Sequence, residues 1–202
     1  MYKNTLTILC ILAFSLCITA QDSKAPSIKI DIEVNGEKYQ VEDGGSIKVD
    51  GKTITAKTSD YLSFDFGALT FDYPKHYAYE FEKDLGYRNW TLDGNDFIFM
   101  YFEYEENIAL NLFIEAMVQR FGEDNCKVSD KNTQLGKLRL KGKRIDISLI
   151  GTLLSYDIYE LNTNDGKTHF ISFQDTKNDD GTASTESKEM MKIIDKTVKI
   201  KL

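Results

Sequence analysis

Hydrophobic and polar positions alternate through most of the chain, and the places where the alternation changes character define its organisation. The stretch Ser27-Ile-Lys-Ile-Asp31 recurs as Ser46-Ile-Lys-Val-Asp50, and each copy leads to a turn dipeptide, Asn35-Gly36 and Asp50-Gly51. Both dipeptides suit the positive φ angles of a type I′ turn, so each copy predicts a β-hairpin with one wet and one covered face. Two units of about 19 residues are too few to stack as a solenoid. Residues 27–58 therefore read as a small β-hairpin appendage or as added edge strands.

From Tyr61 the apolar residues become larger and more aromatic, with Leu62, Phe64, Phe66, Leu69, Phe71 and Tyr73 leading to Pro74. Strands are predicted over 77–82 and 87–92, then over 96–104 after the turn Asp93-Gly94-Asn95. A period of two puts Phe97, Phe99 and Tyr101 on one face of the last strand and Ile98, Met100, Phe102 and Tyr104 on the other. Neither face is polar, which predicts a central strand with a layer packed on each side.

A helix is predicted next. Asn107 is its expected N-cap, Leu110, Phe113, Ile114, Met117, Val118 and Phe121 form its apolar stripe, and Gly122 stops it. Glu105 and Glu106 precede it, where the helix dipole favours anions. Strands are predicted over 135–141, 144–150, 153–161 and 168–174, with turns at Lys141-Gly142-Lys143, near Gly151 and at Asn164-Asp165-Gly166. A second helix over 185–196, capped by Ser184 or Thr185 and carrying Met190, Met191 and Ile194, precedes a last strand through Val198, Ile200 and Leu202. The expected fold class is α+β, a central antiparallel sheet with helices packed on it, in a main domain over 59–202.

This element order, opened by Leu69-Thr-Phe-Asp-Tyr-Pro74 and running to residue 202, resembles the PsbP/Mog1/DcrB-like α/β/α sandwich group. The resemblance implies helices on both faces of the sheet, export, and a role in binding or assembly. That group shares no catalytic residues, so no site is carried over.

Residues 1–20 carry the marks of a secretory signal: Lys3, an apolar run from Leu6 to Ile18, and a small-residue site at Ile18-Thr19-Ala20. The run is shorter than the ~20 residues that span a bilayer. Cys10 and Cys17 raise lipoprotein processing, but Leu16 stands where that processing prefers a small residue. With 21–26 as a linker, the mature chain has 182 residues and keeps only Cys126, so it forms no internal disulfide. That fits a periplasmic or cell-surface protein of a Gram-negative bacterium, in which the sequon Asn89-Trp90-Thr91 is accidental. Its 24 basic and 32 acidic residues are interspersed, which excludes the basic footprint that nucleic acid requires.

Candidate chemistry is sparse. Glu103 and Glu105 share a strand face about 7 Å apart, a spacing within glycosidase range, though their place at the helix entry explains them structurally. Cys126 would need His76 or His169 beside it to act as a nucleophile. The loop Asp175-Thr-Lys-Asn-Asp179-Asp180-Gly181 is rich in oxygen ligands, but aligning Gly181 with the EF-hand glycine puts Thr176 and Ser187 at the essential acidic positions. Neither histidine has a partner at zinc spacing, and no P-loop, G-x-S-x-G or G-x-G-x-x-G is present. No catalytic residue, metal site or cofactor is expected. Tyr77, Tyr79, Tyr87 and Trp90 remain as a candidate ligand or partner surface, because rings with polar tips are favoured at interfaces. The expected function is an exported, non-enzymatic domain that binds a protein partner or envelope component. The alternatives are a sugar or lipid carrier and, less well supported, a hydrolase.

Overall fold

The computed structural model describes residues 28–201, so the expected signal segment 1–20, the linker 21–26 and Leu202 lie outside the described residues. The chain divides after Thr58 into two compact units. The first holds two hairpins, β1 (Lys29–Val34) with β2 (Glu37–Glu42) and β3 (Ser46–Val49) with β4 (Lys52–Thr55). Each turns on two residues of positive φ, 53° and 85° at Asn35-Gly36 and 50° and 76° at Asp50-Gly51. These are type I′ angles, whose twist matches that of the flanking strands. The Asp43 carboxylate accepts from the Thr58 N–H and hydroxyl at 2.7 and 2.6 Å, closing the unit at its end.

The second unit contains β5 (Tyr61–Phe66), β6 (Leu69–Pro74), β7 (Ala78–Asp84), β8 (Tyr87–Asp93), β9 (Phe97–Tyr104), α1 (Leu110–Phe121), β10 (Cys126–Leu135), β11 (Leu138–Leu149), β12 (Thr152–Leu161), β13 (Thr168–Thr176), α2 (Thr185–Thr197) and β14 (Lys199–Ile200). Seven strands form one antiparallel sheet in the order β10-β11-β12-β13-β9-β8-β7, and a smaller sheet has the order β14-β6-β5. On one face of the large sheet, Phe97, Phe99 and Tyr101 of β9 pack with Ile171 and Phe173 against Phe64, Leu69, Phe71 and Tyr73 of the small sheet, and Met190 and Ile194 of α2 join them. On the other face, Met100, Phe102 and Tyr104 pack with Ile145, Ile158 and Phe170 against Ile114, Phe113 and Met117 of α1. Each fully buried side chain of this size contributes about 1.5–3 kcal/mol, so these two clusters dominate the stability of the unit.

The expected α+β class with helices as the covering layers is corrected by this arrangement. Strand accounts for 56% of the described residues and helix for 16%, and one of the two covering layers is itself largely a sheet. The physical reason lies in residues 61–74. Their alternation carries large rings at Phe64, Phe66, Phe71 and Tyr73, and pairing Phe64 with Phe71 and Leu62 with Tyr73 turns them to one side. That side supplies the layer that a second helix was expected to provide.

Local expectations shift as well. The residue at the N-cap of α1 is Ala109 rather than Asn107, with no side-chain hydrogen bond, and the free Ile108 N–H is met by Thr168 Oγ1 at 3.0 Å. Gly142 does not turn the chain: β11 runs straight through it. A Cβ there would lie 2.0 Å from the Ile158 carbonyl oxygen and 2.7 Å from the Tyr159 ring. The glycine serves close packing on β12, and the true turn is at Gly136-Lys137, after a strand over 126–135 that its mixed polar pattern concealed.

Helix α2 is held by both of its first residues' neighbours. Ser184 Oγ accepts from Ser187 N at 3.0 Å as N-cap. Glu186 Oε2 accepts from the backbone N–H groups of Asn95, Asp96 and Phe97 at 2.9, 2.5 and 3.1 Å, pinning the β8–β9 turn to the helix. Burial opposes its ionisation, but the N–H groups of Asp96, Asn95 and Phe97 outweigh it and hold the carboxyl below its ordinary value. A carboxyl depressed in this way contributes fully above its unfolded pKa, near 4.3, and loses that contribution as pH falls through its folded value. Replacing Glu186→Gln is therefore expected to lower the unfolding free energy at pH 7 by on the order of 1–3 kcal/mol. Urea titrations should show the gap closing as the pH is taken below about 4.

Candidate functional site

Strand β7 is one edge of the seven-stranded sheet, and every one of its residues is exposed. Its sequence Ala-Tyr-Glu-Phe-Glu-Lys-Asp sends Tyr79, Phe81 and Lys83 to the face shared with the small sheet and Glu80, Glu82 and Asp84 to the other. Tyr79 and Phe81 are 44% and 49% exposed, half out of water and half packed. Register explains the packed half: Phe81 stands opposite Trp90 of β8, with ring centroids 5.2 Å apart.

Phe66, the last residue of β5, completes the surface. Its ring stacks on Tyr79 at 5.3 Å and on Trp90 at 5.9 Å, so Tyr79, Phe66, Trp90 and Phe81 form one continuous run of rings. Leu62, 48% exposed on β5, has its side chain on the same face of its strand as Phe66. The two sheets of this unit thus part at the edges β5 and β7, leaving an open aromatic edge.

What holds Phe66 there is a buried polar chain. The Ala68 N–H donates to Tyr101 Oη at 3.0 Å, Tyr101 Oη and His169 Nδ1 are 2.8 Å apart, and His169 Nε2 lies 2.9 Å from Asp165. Tyr101 and His169 are 0% and 1% exposed. Every partner is satisfied when Tyr101 donates to His169 Nδ1 and the Nε2–H of His169 donates to Asp165. Burial pushes the Tyr101 phenol up, which keeps it protonated in that role. Burial raises Asp165 too, but hydrogen bonds from Thr163, His169 and the Lys167 N–H outweigh it and hold the carboxyl well below its usual range. Gly67 permits this chain: its φ is 52°, and a Cβ would meet the Tyr101 ring at 2.3 Å.

The four aromatic residues singled out from sequence do not share one surface. Tyr79 and Trp90 join through Phe66. Trp90 is 6% exposed and forms the floor rather than the rim. Tyr77 is 5% exposed and lines an open groove with His76, Asn95, Glu186 and Glu189. Tyr87 lies on the opposite face of the large sheet, 5.2 Å from Tyr104, in a groove of about 580 Å³ bordered by α1. Sequence reading missed Phe66 and Phe81. Phe81 could have been found by its alternation with acids, whereas Phe66 needed the contact between sheets.

The remaining candidates are dispersed. Glu103 is buried and paired with Lys167 at 2.6 Å and Arg88 at 3.5 Å, while Glu105 is exposed beyond the strand. Burial pushes the Cys126 thiol up, away from thiolate. His169 is committed to Tyr101 and Asp165, and His76 lies 3.7 Å from Glu186. In the 175–181 loop, Asp180 accepts from Thr182, and Asp175 accepts from Ser184 N and faces Lys177. No group of three or more His, Cys, Asp or Glu side chains among the described residues could hold a metal ion. No helix among the described residues is long and apolar enough to cross a membrane. No family model matches the chain, and no curated protein matches it significantly.

Two expectations separate rim from support. Tyr79→Ser and Phe81→Ser, at half-exposed positions, should each cost no more than about 1 kcal/mol in urea unfolding, against about 3–5 kcal/mol for Phe99→Ala in the core. Tyr101→Phe leaves the Ala68 N–H without its acceptor, so it should cost about 1–3 kcal/mol. It should also shift the emission of Trp90, the sole tryptophan, as the Phe66 turn loosens.

Proposed function

We propose that the mature chain is an exported, non-enzymatic domain that binds a protein partner or an envelope component through the aromatic edge at Phe66, Tyr79, Phe81 and Trp90. The observation that carries this reading is the half-exposure of Tyr79 and Phe81 on a strand with no neighbour on one side among the described residues. Large rings are normally covered, and contiguous exposed ones mark contact surfaces. Tyr and Trp also contribute disproportionately to binding energy at interfaces, because they bury a large area with few rotatable bonds. The non-enzymatic part is supported by the internal engagement of the groups that could do chemistry: His169 in the Tyr101–Asp165 chain, and Glu103 between Lys167 and Arg88.

A small-ligand carrier is the second reading. It is favoured by the groove of about 580 Å³ beside α1, lined by Tyr87, Phe102, Tyr104, Phe113 and Arg120, in which Asn89 Oδ1 has no hydrogen-bond partner among the described residues. Its volume is within the range of ligand sites.

The two readings separate in the native host. A photo-crosslinking residue at position 79 or 81 should yield one discrete protein or envelope adduct, suppressed by excess unlabelled protein. The same residue at Leu112, exposed on α1, should yield none. Equal labelling at all three positions, or none at any, would remove the partner reading. A small molecule retained in native mass spectra of protein from that host would favour the carrier.

A further inference from the structure

Resting on the partner-binding reading, we propose that the partner docks by adding a β-strand to β7, and that this strand alternates apolar with basic residues. Three observations converge on that occupant. The first is the backbone. At ~3.3 Å per residue, the seven residues Ala78–Asp84 present about 23 Å of strand edge whose outward N–H and C=O groups have no partner strand among the described residues. An edge of this kind is a template for another strand.

The second is the segregation of side chains. Tyr79 and Phe81 occupy one face, where Phe66 and Trp90 extend the apolar surface. Glu80, Glu82 and Asp84 occupy the other, where register places them beside Thr91, Asn89 and Tyr87 of β8. Among the described residues no cation is paired with Glu80, Glu82 or Asp84. An added strand in register sets its own side chains 4.5–5.5 Å from those of β7 on each face. Apolar residues then continue the aromatic face, and Lys or Arg residues meet the acids.

The third is the contrast with the opposite edge of the same sheet. Strand β10 mixes Lys127, Asp130 and Lys131 along its length, and Asp130 is held by Lys143 of its neighbour at 2.6 Å. Mixed charge of this kind blunts an edge. β7 carries an apolar pair, Tyr79 and Phe81, that ends at Lys83, and a contiguous acidic row of Glu80, Glu82 and Asp84, so it discriminates between strands rather than repelling all of them. A second copy of the chain is disfavoured as occupant. A two-fold copy that keeps both aromatic faces on one side sets Glu80 and Glu82 against their own counterparts, and directly opposed like charges destabilise a sheet.

The probe is a capped heptapeptide, Lys-Val-Lys-Val-Lys-Val-Lys, titrated into the full mature protein and followed by Trp90 emission and by amide hydrogen exchange. Saturable binding with slowed exchange over 78–84 is expected. N-methylation of alternate backbone nitrogens should weaken it at least tenfold, because it removes the N–H groups that pair with the edge. Exchanging every Lys for Glu should abolish binding, and Glu80→Gln combined with Glu82→Gln should weaken it several-fold and flatten its salt dependence. Both acids are exposed, so the double variant should fold as the parent does.

Equal binding by the N-methylated peptide would overturn strand addition, and equal binding by the Glu peptide would overturn the charge assignment. Concentration-dependent dimerisation that protects 78–84 would make a second copy the occupant and overturn the proposal. If no peptide binds while crosslinking from positions 79 and 81 persists, strand addition falls and the partner-binding reading stands. Loss of the crosslinks removes both.

Discussion

Strand β9 alternates Phe97, Phe99 and Tyr101 with Ile98, Met100, Phe102 and Tyr104, so neither of its faces can be left in water. That constraint organises the larger unit. A strand with two apolar faces needs strands on both flanks to pair its backbone and a layer above and below to cover its side chains. The flanks are β13 and β8. The layers are α1 on one side and the β14-β6-β5 sheet with α2 on the other. The asymmetry of the covers leaves this edge open: a three-stranded sheet and one helix are narrower than seven strands, so at the far edge β7 only Phe66 of the small sheet reaches Tyr79.

Polar groups inside the unit do structural work at the end of this same strand. Tyr101 receives the Ala68 N–H and meets His169, which is anchored on Asp165 at the surface. One step further along β9, Glu103 is neutralised by Lys167 and Arg88. Leaving any of these buried groups unpaired costs more than the pairing contributes, about 1–3 kcal/mol each. A Tyr-His-Asp sequence of contacts resembles catalytic machinery, but its reactive oxygen is fully enclosed under Gly67 and Ala68. Its consequence is structural, through the turn that places Phe66.

The edge of a sheet is a hazard that proteins ordinarily disarm. Here the two edges of one sheet are treated differently. β10 interleaves charges of both signs, while β7 separates rings from acids by strand alternation alone. In the strand addition we propose, the acids keep an exposed aromatic strand from pairing with itself and define which other strand can approach. On that proposal, protection and selectivity come from one arrangement.

Sequence by itself determined the elements whose signal is local. The period of two in β9 identified a strand covered on both faces, the 3.6 period from Leu110 to Phe121 identified α1, and the Asn-Gly and Asp-Gly pairs sit in two-residue turns because only such residues accept positive φ cheaply. Tyr79 and Trp90 could be suspected for their chemistry. What sequence could not determine depended on contacts between segments far apart in the chain. Residues 61–74 alternate like any half-buried hairpin, and only tertiary packing made them a second sheet where a helical layer was expected. Gly142 carried the composition of a turn and the function of a packing contact with Ile158 and Tyr159. Phe66, 13 residues from Tyr79 and 24 from Trp90, became part of the aromatic edge because Tyr101 holds the following turn. Alternation specifies which side of a strand is apolar, since that is a property of neighbouring residues. Which apolar side is finally covered is decided by how much cover the other segments supply, and at β7 the described residues cover Tyr79 and Phe81 only by half.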